Sequence, residues 1–387
     1  MTSTRRKVLF LYPQSLGPEP EAQRNAHFHL STRLTGDLIY DWVRRPVDRE
    51  RLLPLVQRAI GDFSFHFDDD WNARQRLGGA RAFQFYVSKG RQLIREKGPY
   101  DAIVAYGPFR TGMAGLLLGA RSGTPVVVEI PGNHLKSYEF AGGRFSSLKR
   151  RIAKPVLSFV TSRADLVRLL YPTQLDEVGR PPAERLAVFH NSVTVDGIDP
   201  SRPREKYLLF MGYPFWLKGV DLLITAFRAI ADRHPDWRLR VVGHCPDPSP
   251  FLALAGGHPR ISIERAVEHP QAMALMERCG AFVLPSRTEA MGRVLLEAMA
   301  ARRPIVASRV DGIPTYVSDG ENGLLFTCNQ ADDLARQLDR LLGDDALAER
   351  LAAEGHRRVQ ERYSVQSYVD QFAEMIERVV ALRGTRR

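Results

Sequence analysis

The stretch PSRTEAMGRVLLEAMAARRPIVAS, Pro285 to Ser308, sets two carboxylates, Glu289 and Glu297, on either side of Gly292. Arg293 to Ala301 reads as a helix that is apolar or small on every face except at Glu297, and such a helix belongs in a buried position. An unpaired ionised carboxylate there is expensive, so Glu297 requires hydrogen-bond donors, which the hydroxyls of a ligand would supply. Just upstream, Glu289-Ala290-Met291-Gly292 lets backbone amides converge on the N-terminus of that helix, whose dipole adds partial positive charge. The product is an anion cradle suited to a diphosphate. Glu289 stands at its mouth and Glu297 about one turn or more into the helix. The bland alternative is a capping acid plus a core carboxylate paired to an arginine. Lys218, followed by Gly219 after a strand and turn, would bring a compact ammonium to the same cradle; otherwise it is a solvated loop lysine. His134 follows another strand and Gly loop, Val128 to Asn133, where it either meets a ligand or caps the next helix.

These residues need a scaffold that delivers loops from several strands to one place. Short apolar runs alternate with amphipathic stretches along the chain, the pattern of parallel strands joined by helices. Lys7–Tyr12, Asp101–Tyr106, Pro125–Ile130, Asp165–Leu170 and Arg185–Phe189 form a first set. After the linker-like Asp199–Arg204, a second set follows at Tyr207–Gly212, Arg238–Gly243, Ala281–Leu284 and Pro304–Ser308. Two doubly wound lobes are the simplest assembly, at 1–198 and 199–362, and a length of 387 residues favours two cores over one. Ligands in such sheets bind beyond the carboxyl ends of the strands, where Gly212, Gly243, Pro285 and Ser308 fall, so the inter-lobe cleft is the expected active site. Ser364 to Val380 carries Val365, Tyr368, Val369, Phe372, Met375, Ile376 and Val379 at helical spacing.

The run from Glu289 to Glu297 resembles the EX7E motif of GT4-type retaining glycosyltransferases with the GT-B fold. PSRTEAMGRVLLEAMAARRPIVAS, the Asp311-Gly312-Ile313-Pro314 turn, Asp319 to Phe326 and FMGYPFWLKGVDLLITAF (Phe210 to Phe227) follow that family's order and spacing, while the first lobe is similar only in general. The resemblance implies an α/β GT-B enzyme of two Rossmann-like lobes, whose C-terminal helix, within 363–387, returns to the first lobe. It implies that Glu289 contacts hydroxyls of the donor sugar, that Glu297 accepts hydrogen bonds from a ribose, and that Lys218 neutralises a leaving diphosphate. Met291, Gly292, Val294 and Gly212 then line the donor site, and no metal or other cofactor is required. Relatives usually carry a second cation directly after the glycine that corresponds to Gly212; here stands Tyr213, and Arg293 either supplies that charge or faces solvent. His134 lies where relatives often place a histidine near the anomeric centre. The first βα loop, Gln14 to Pro20, has one glycine, Gly17, where many relatives have two, and its prolines stiffen it. Asp68-Asp69-Asp70 superficially suggests the metal-binding motif of the other large glycosyltransferase fold, but it follows no clear strand in the sequence and reads as a solvated acidic turn.

Composition narrows the partners. With 44% hydrophobic and 26% charged residues the chain is an ordinary globular protein. A net charge of +11 attracts phosphate-rich partners, whether nucleotides, anionic lipid or nucleic acid. No nucleic-acid motif supports the last. The expected partners are a nucleotide-sugar donor, a glycan or lipid-linked acceptor, and an anionic membrane touched peripherally through Arg144–Lys154, where Leu148 and Ile152 stand among cations. The N-terminal apolar run is too short for a signal peptide core, so a cytoplasmic protein is expected. Cys245, Cys279 and Cys328 have no metal-ligand spacing and read as buried small hydrophobes without a disulfide. Two other classes stay open: a nucleotide-sugar epimerase of the same architecture, and a non-catalytic binding module.

Overall fold

The computed structural model describes residues 5–16, 30–43, 63–67, 71–140, 146–194 and 197–384. The chain forms two compact units, one from residues 1–135, 145–192 and 365–387, the other from 136–144 and 193–364. The boundaries therefore fall a few residues from 198/199 and 362/363. The amide of Val193 bonds the carbonyl of Tyr363 at 3.0 Å, which commits the chain to the second unit soon after the last strand of the first. Gly17, Asp68–Asp70 and Arg144 lie outside the described residues.

The first unit holds a seven-stranded parallel sheet in the order β3-β2-β1-β4-β5-β6-β7. Its strands are β1 (Arg6–Leu16), β2 (Leu34–Val43), β3 (Phe63–Phe67), β4 (Ala102–Tyr106), β5 (Val126–Ile130), β6 (Leu166–Leu169) and β7 (Leu186–Val188). The helices are α1 (Trp71–Lys97), α2 (Arg110–Ser122), α3 (His134–Phe140), which crosses into the second unit, α4 (Ser146–Arg163) and α11 (Val365–Gly384). Contrary to the sequence expectation, the Asp68–Asp70 run does follow a strand: β3 ends at Phe67. Among the described residues that strand pairs on one side only, and it shows mixed exposure, so its apolar signal is weak.

Side chains alternate across the sheet. Val8, Phe10 and Tyr12 of β1, with Leu38, Val104, Val127 and Leu166, face α11, which covers them with Tyr368, Val369, Phe372, Met375, Ile376 and Val379. That stripe is the one its helical spacing requires. Arg33 Nη2 meets Asp370 at 2.6 Å near the start of α11, Arg6 Nη2 clasps Glu377 at 2.8 Å, and Arg383 holds Asp165 at 3.0 Å near its end, so both ends of α11 are pinned to this unit.

Between β5 and β6 a full ion pair is buried: Arg168 Nη1 donates to Glu129 Oε2 at 2.5 Å, with both side chains at most 2% exposed. The guanidinium also donates to Asn191 Oδ1 at 2.7 Å and lies 4.2 Å from the ring centroid of Phe189 and 5.3 Å from that of Tyr368. The pair thus ties α11 to the sheet electrostatically as well as by area.

The second unit repeats the plan with six parallel strands ordered β10-β9-β8-β11-β12-β13. They are β8 (Glu205–Met211), β9 (Arg238–Val242), β10 (Ile261–Glu264), β11 (Cys279–Leu284), β12 (Ile305–Ser308) and β13 (Leu324–Phe326). Its helices are α5 (Val220–Ile230), α6 (Ser249–Ala255), α7 (His269–Met276), α8 (Arg293–Ala300), α9 (Ala331–Leu342) and α10 (Asp345–Arg362). All three cysteines carry free thiols; Cys279 is buried, whereas Cys245 and Cys328 are half-buried rather than packed away.

Removing one partner of a buried pair strands the other charge. Arg168→Leu is expected to lower stability by about 3–5 kcal/mol, read as a lower urea midpoint of the first unit, and Glu129→Leu/Arg168→Leu to recover part of that. Equal midpoints in the wild type and the single variant would show that the pair contributes nothing.

Candidate functional site

In the second sheet the strand order reverses between β8 and β11, and at such a switch point the loops leaving the two strands part and open a crevice. The loop after β8 carries Gly212, Tyr213 and Lys218; the loop after β11 carries Glu289, Met291 and Gly292. The sheet therefore brings together residues 71 positions apart: Lys218 Nζ lies 2.5 Å from Glu289 Oε2, with side chains 18% and 14% exposed.

Two glycines make the approach feasible. Gly219 sits at φ +69°, and a Cβ there would stand 2.0 Å from the carbonyl oxygen of Pro285, which no side chain can occupy. Gly292, at φ +62°, is the residue before the first turn of α8, and its would-be Cβ meets Glu289 Cγ at 3.2 Å and Leu284 Cδ2 at 3.1 Å. The left-handed turn starts α8 four residues after Glu289, so the partial positive charge of the helix N-terminus follows directly on the Lys218–Glu289 pair. Gly212 lies against Phe210 and the Lys218 stem.

What holds the loops in register is Arg287. Its buried guanidinium makes a two-pronged bond to Asp221 at 2.8 and 2.7 Å, donates to the Trp216 carbonyl, and covers the Trp216 ring at 4.1 Å. A planar fork is the group that can satisfy a carboxylate and an aromatic face together. From the other side Asp311, whose side chain is 2% exposed, accepts from the Glu289 amide at 3.0 Å and Thr288 Oγ1 at 2.5 Å, and pairs with Lys136 at 2.5 Å. The Tyr316 hydroxyl donates to the Met291 carbonyl, and burial pushes that phenol well above its ordinary value.

The sequence places Glu297 in a helix buried on every face. That is corrected: Arg293 is exposed, Val294 and Glu297 are half-buried, and residues at i, i+1 and i+4 share one side of a helix. Arg293 Nε stands 3.4 Å from Glu297 Oε1, so Arg293 is half solvated and also offers Glu297 a cation. Tyr213 is 54% exposed, its ring 5.4 Å from that of His244. Beside them, beyond the ends of β9 and β10, lies a cavity of about 570 Å³ lined by Phe215, His244, Cys245, Ile263 and Glu264 among others.

His134 opens α3 in the first unit, its ring edge-on to Phe109 at 5.1 Å. Its Nε2 is shut off from solvent without a hydrogen-bond partner among the described residues, and burial lowers its pKa to about 4. It is a neutral imidazole at physiological pH. Among the described residues no group of three or more His, Cys, Asp or Glu stands at metal-binding distance.

Family models cover both units: residues 22–192 match a "Glycosyl transferase 4-like domain" and residues 196–358 match "Glycosyl transferases group 1". The chain is a GT4-type glycosyltransferase. Alpha-D-kanosaminyltransferase of Streptomyces kanamyceticus is 28% identical to this glycosyltransferase over 65% of the chain and 70% of its own length. D-inositol 3-phosphate glycosyltransferase of Corynebacterium aurimucosum is 36% identical over 36% of this chain and 35% of itself. Among solved structures, HepE of Anabaena in complex with UDP and glucose superposes with a TM-score of 0.72 at 18% identity, covering 96% of this chain and 100% of its own. Sucrose-phosphate synthase of Thermosynechococcus elongatus gives 0.77 at 16%, covering 97% and 100%. The fold is GT-B.

Arg287, Asp221, Thr288 and Asp311 had no assigned part in the sequence reading. Arg287 and Thr288 lie inside the quoted motif, and an arginine next to a strand's buried end is a usable signal; its partner, 66 residues away, is not readable from spacing.

Two outcomes follow from this geometry. Arg287→Ala is expected to raise the donor KM and lower kcat/KM by on the order of 10²-fold, as a positioning loss of about 1 Å would, with circular dichroism unchanged; wild-type kinetics would refute the clamp. For His134, the folded value of about 4 lies below the ordinary value of about 6.5. The unfolded chain therefore takes the proton first, and the stabilisation present above pH 6.5 is lost as pH falls toward 4. His134→Gln is expected to flatten the fall of Tm across that window, partly, because His190, also lowered to about 4 by burial and then by Arg168, remains. A slope identical to wild type would refute the assignment.

Proposed function

We propose that this enzyme transfers a hexosyl residue from a nucleoside diphosphate sugar to an acceptor hydroxyl with retention of anomeric configuration, without a metal, at the carboxyl edge of the second sheet. The observation that carries the reading is the Lys218–Glu289 pair just before the N-terminus of α8, which starts at the left-handed Gly292. An ammonium and a helix N-terminus are the two elements a diphosphate requires, and Glu289 offers its free lone pairs to sugar hydroxyls. Glu297, half-buried on the open edge of α8, takes the ribose hydroxyls, and the cavity by His244 and Glu264 takes the base. HepE has been solved with UDP and with UDP-glucose, in keeping with a nucleotide-sugar donor here.

In the reaction the bond from the anomeric carbon to the diphosphate oxygen breaks as a bond to the acceptor oxygen forms on the same face. The acceptor proton passes to the departing diphosphate. Negative charge grows on that leaving group, so the fixed charge of Lys218 and the α8 amides favour the transition state over the ground state. His134, a neutral imidazole, would take part as a hydrogen-bonding group rather than as a cation. The acceptor we place in cell-surface polysaccharide or glycolipid assembly, as a glycan or lipid-linked hydroxyl, with the enzyme at the inner face of the membrane.

The test is a thermal-shift screen against UDP, GDP, ADP and their sugar conjugates in EDTA, since a ligand that binds only the native state raises its apparent stability. One nucleotide is expected to stabilise the wild type selectively and Glu297→Ala less. Turnover in Lys218→Ala is expected to fall on the order of 10²–10³-fold. No shift with any nucleotide at millimolar concentration would refute the donor site, and a strict need for added metal would refute metal independence.

A further inference from the structure

The helix α4 shows solvent a face that the fold does not use. Leu148, Ile152 and Phe159 are 52%, 59% and 48% exposed, and with exposed Pro155 they recur at spacings that stack on one side of a helix. Three large apolar side chains in a row, each half in water, are not an ordinary solvated face.

Cations flank the ridge. Lys149, Arg151, Lys154 and Arg163 are all exposed, and α4 contains no acidic residue. Arg150, by contrast, points back and pairs with Glu177 at 2.5 Å.

The ridge continues into a cavity of about 440 Å³, which Phe159 and Arg163 line together with Met113, Leu116 and Leu117 of α2. The cavity is chiefly hydrocarbon, and the carboxylate among its lining residues, Asp165, is held by Arg383 at 3.0 Å. An apolar hollow therefore opens beside an arginine that has only the Phe159 ring, at 5.7 Å, as its described contact.

We infer that α4 and this cavity form a docking face for an anionic phospholipid bilayer, with one acyl chain entering the cavity and its phosphate meeting Arg163. The apolar ridge sinks to the level of the acyl boundary while the flanking cations stay among the headgroups. This rests on the membrane contact proposed above and is independent of the donor site. It extends that contact from Lys154 along α4 to Phe159, Arg163 and the cavity, and gives it a chemistry, negative charge next to a hydrocarbon chain.

Sedimentation with vesicles of phosphatidylcholine, alone or with a third of phosphatidylglycerol, tests it on the full chain, with the nucleotide thermal shift run in parallel. The wild type is expected to bind the anionic vesicles, weakly at high salt, and to ignore the neutral ones. Leu148→Ser/Ile152→Ser/Phe159→Ser is expected to lose at least about tenfold in partitioning, and Lys149→Gln/Arg151→Gln on the order of fivefold per cation. Both should keep the wild-type nucleotide shift, showing that they are folded. Ala120→Trp, which crowds the cavity from its exposed rim, is expected to weaken binding several-fold. Equal binding of the apolar triple variant and the wild type would overturn the docking face, and unchanged binding of Ala120→Trp would overturn the acyl site. Wild type that ignores anionic vesicles yet responds to nucleotide would overturn the inference and the membrane contact it rests on, and leave the donor site standing. Concentration-dependent self-association abolished by the triple variant, with no vesicle binding, would assign the ridge to a second copy and overturn it as well.

Discussion

The carboxyl edge of the second sheet depends on one guanidinium. Arg287 leaves β11 and reaches Asp221, at the start of α5, and the Trp216 ring and carbonyl in the loop between β8 and α5. Lys218 lies two residues beyond Trp216, and Glu289 two residues beyond Arg287. The clamp thus fixes the separation of the two groups that stand closest at the cradle, and it does so with a buried fork bonded at both prongs to Asp221. The backbone ties the two loops once, Arg287 N–H donating to the Leu217 carbonyl at 2.9 Å, and the ion pair and aromatic face of the same residue complete the tie in low dielectric. Asp311 performs the complementary task on the chain just after, fixing the backbone of Glu289 through its amide.

The first unit uses the same device for a different purpose. Its ion pair, Glu129 with Arg168, also sits between neighbouring strands and also carries aromatic rings on the guanidinium. There it joins α11 to the sheet instead of shaping a loop. Arginine appears in both places because its charge is delocalised and planar, so it can be desolvated against rings while its edge remains hydrogen-bonded.

Much of this was legible in the sequence where local rules act alone. The strands β1, β4, β5, β8, β9, β11 and β12 are buried apolar runs, and the stripe of α11 is a plain helical repeat. β2 is not legible because Gly36 and Asp37 interrupt its run; Asp37 is tolerated since Lys97 and Tyr100 bond it at 2.8 and 2.6 Å, partners more than fifty residues away in the chain. β10 and β13, with four and three residues, are too short to show periodicity. The cradle was legible because Gly292 and the two carboxylates are close in sequence. The open edge of α8 was not, because exposure of Arg293, Val294 and Glu297 depends on what packs against the other faces. The clamp and Asp311 are tertiary, and no spacing encodes them.

The path of the chain also orders its birth on the ribosome. The second unit's sheet and cover come from one continuous stretch, 193–364, whereas the β1 face of the first sheet waits for α11, which follows that stretch in the chain. Val8, Phe10 and Tyr12 are thus made before the second unit and covered only after it. During synthesis the nascent first sheet carries a bare aromatic face while the second unit completes itself, which makes that interval the one in which chaperones have most to bind.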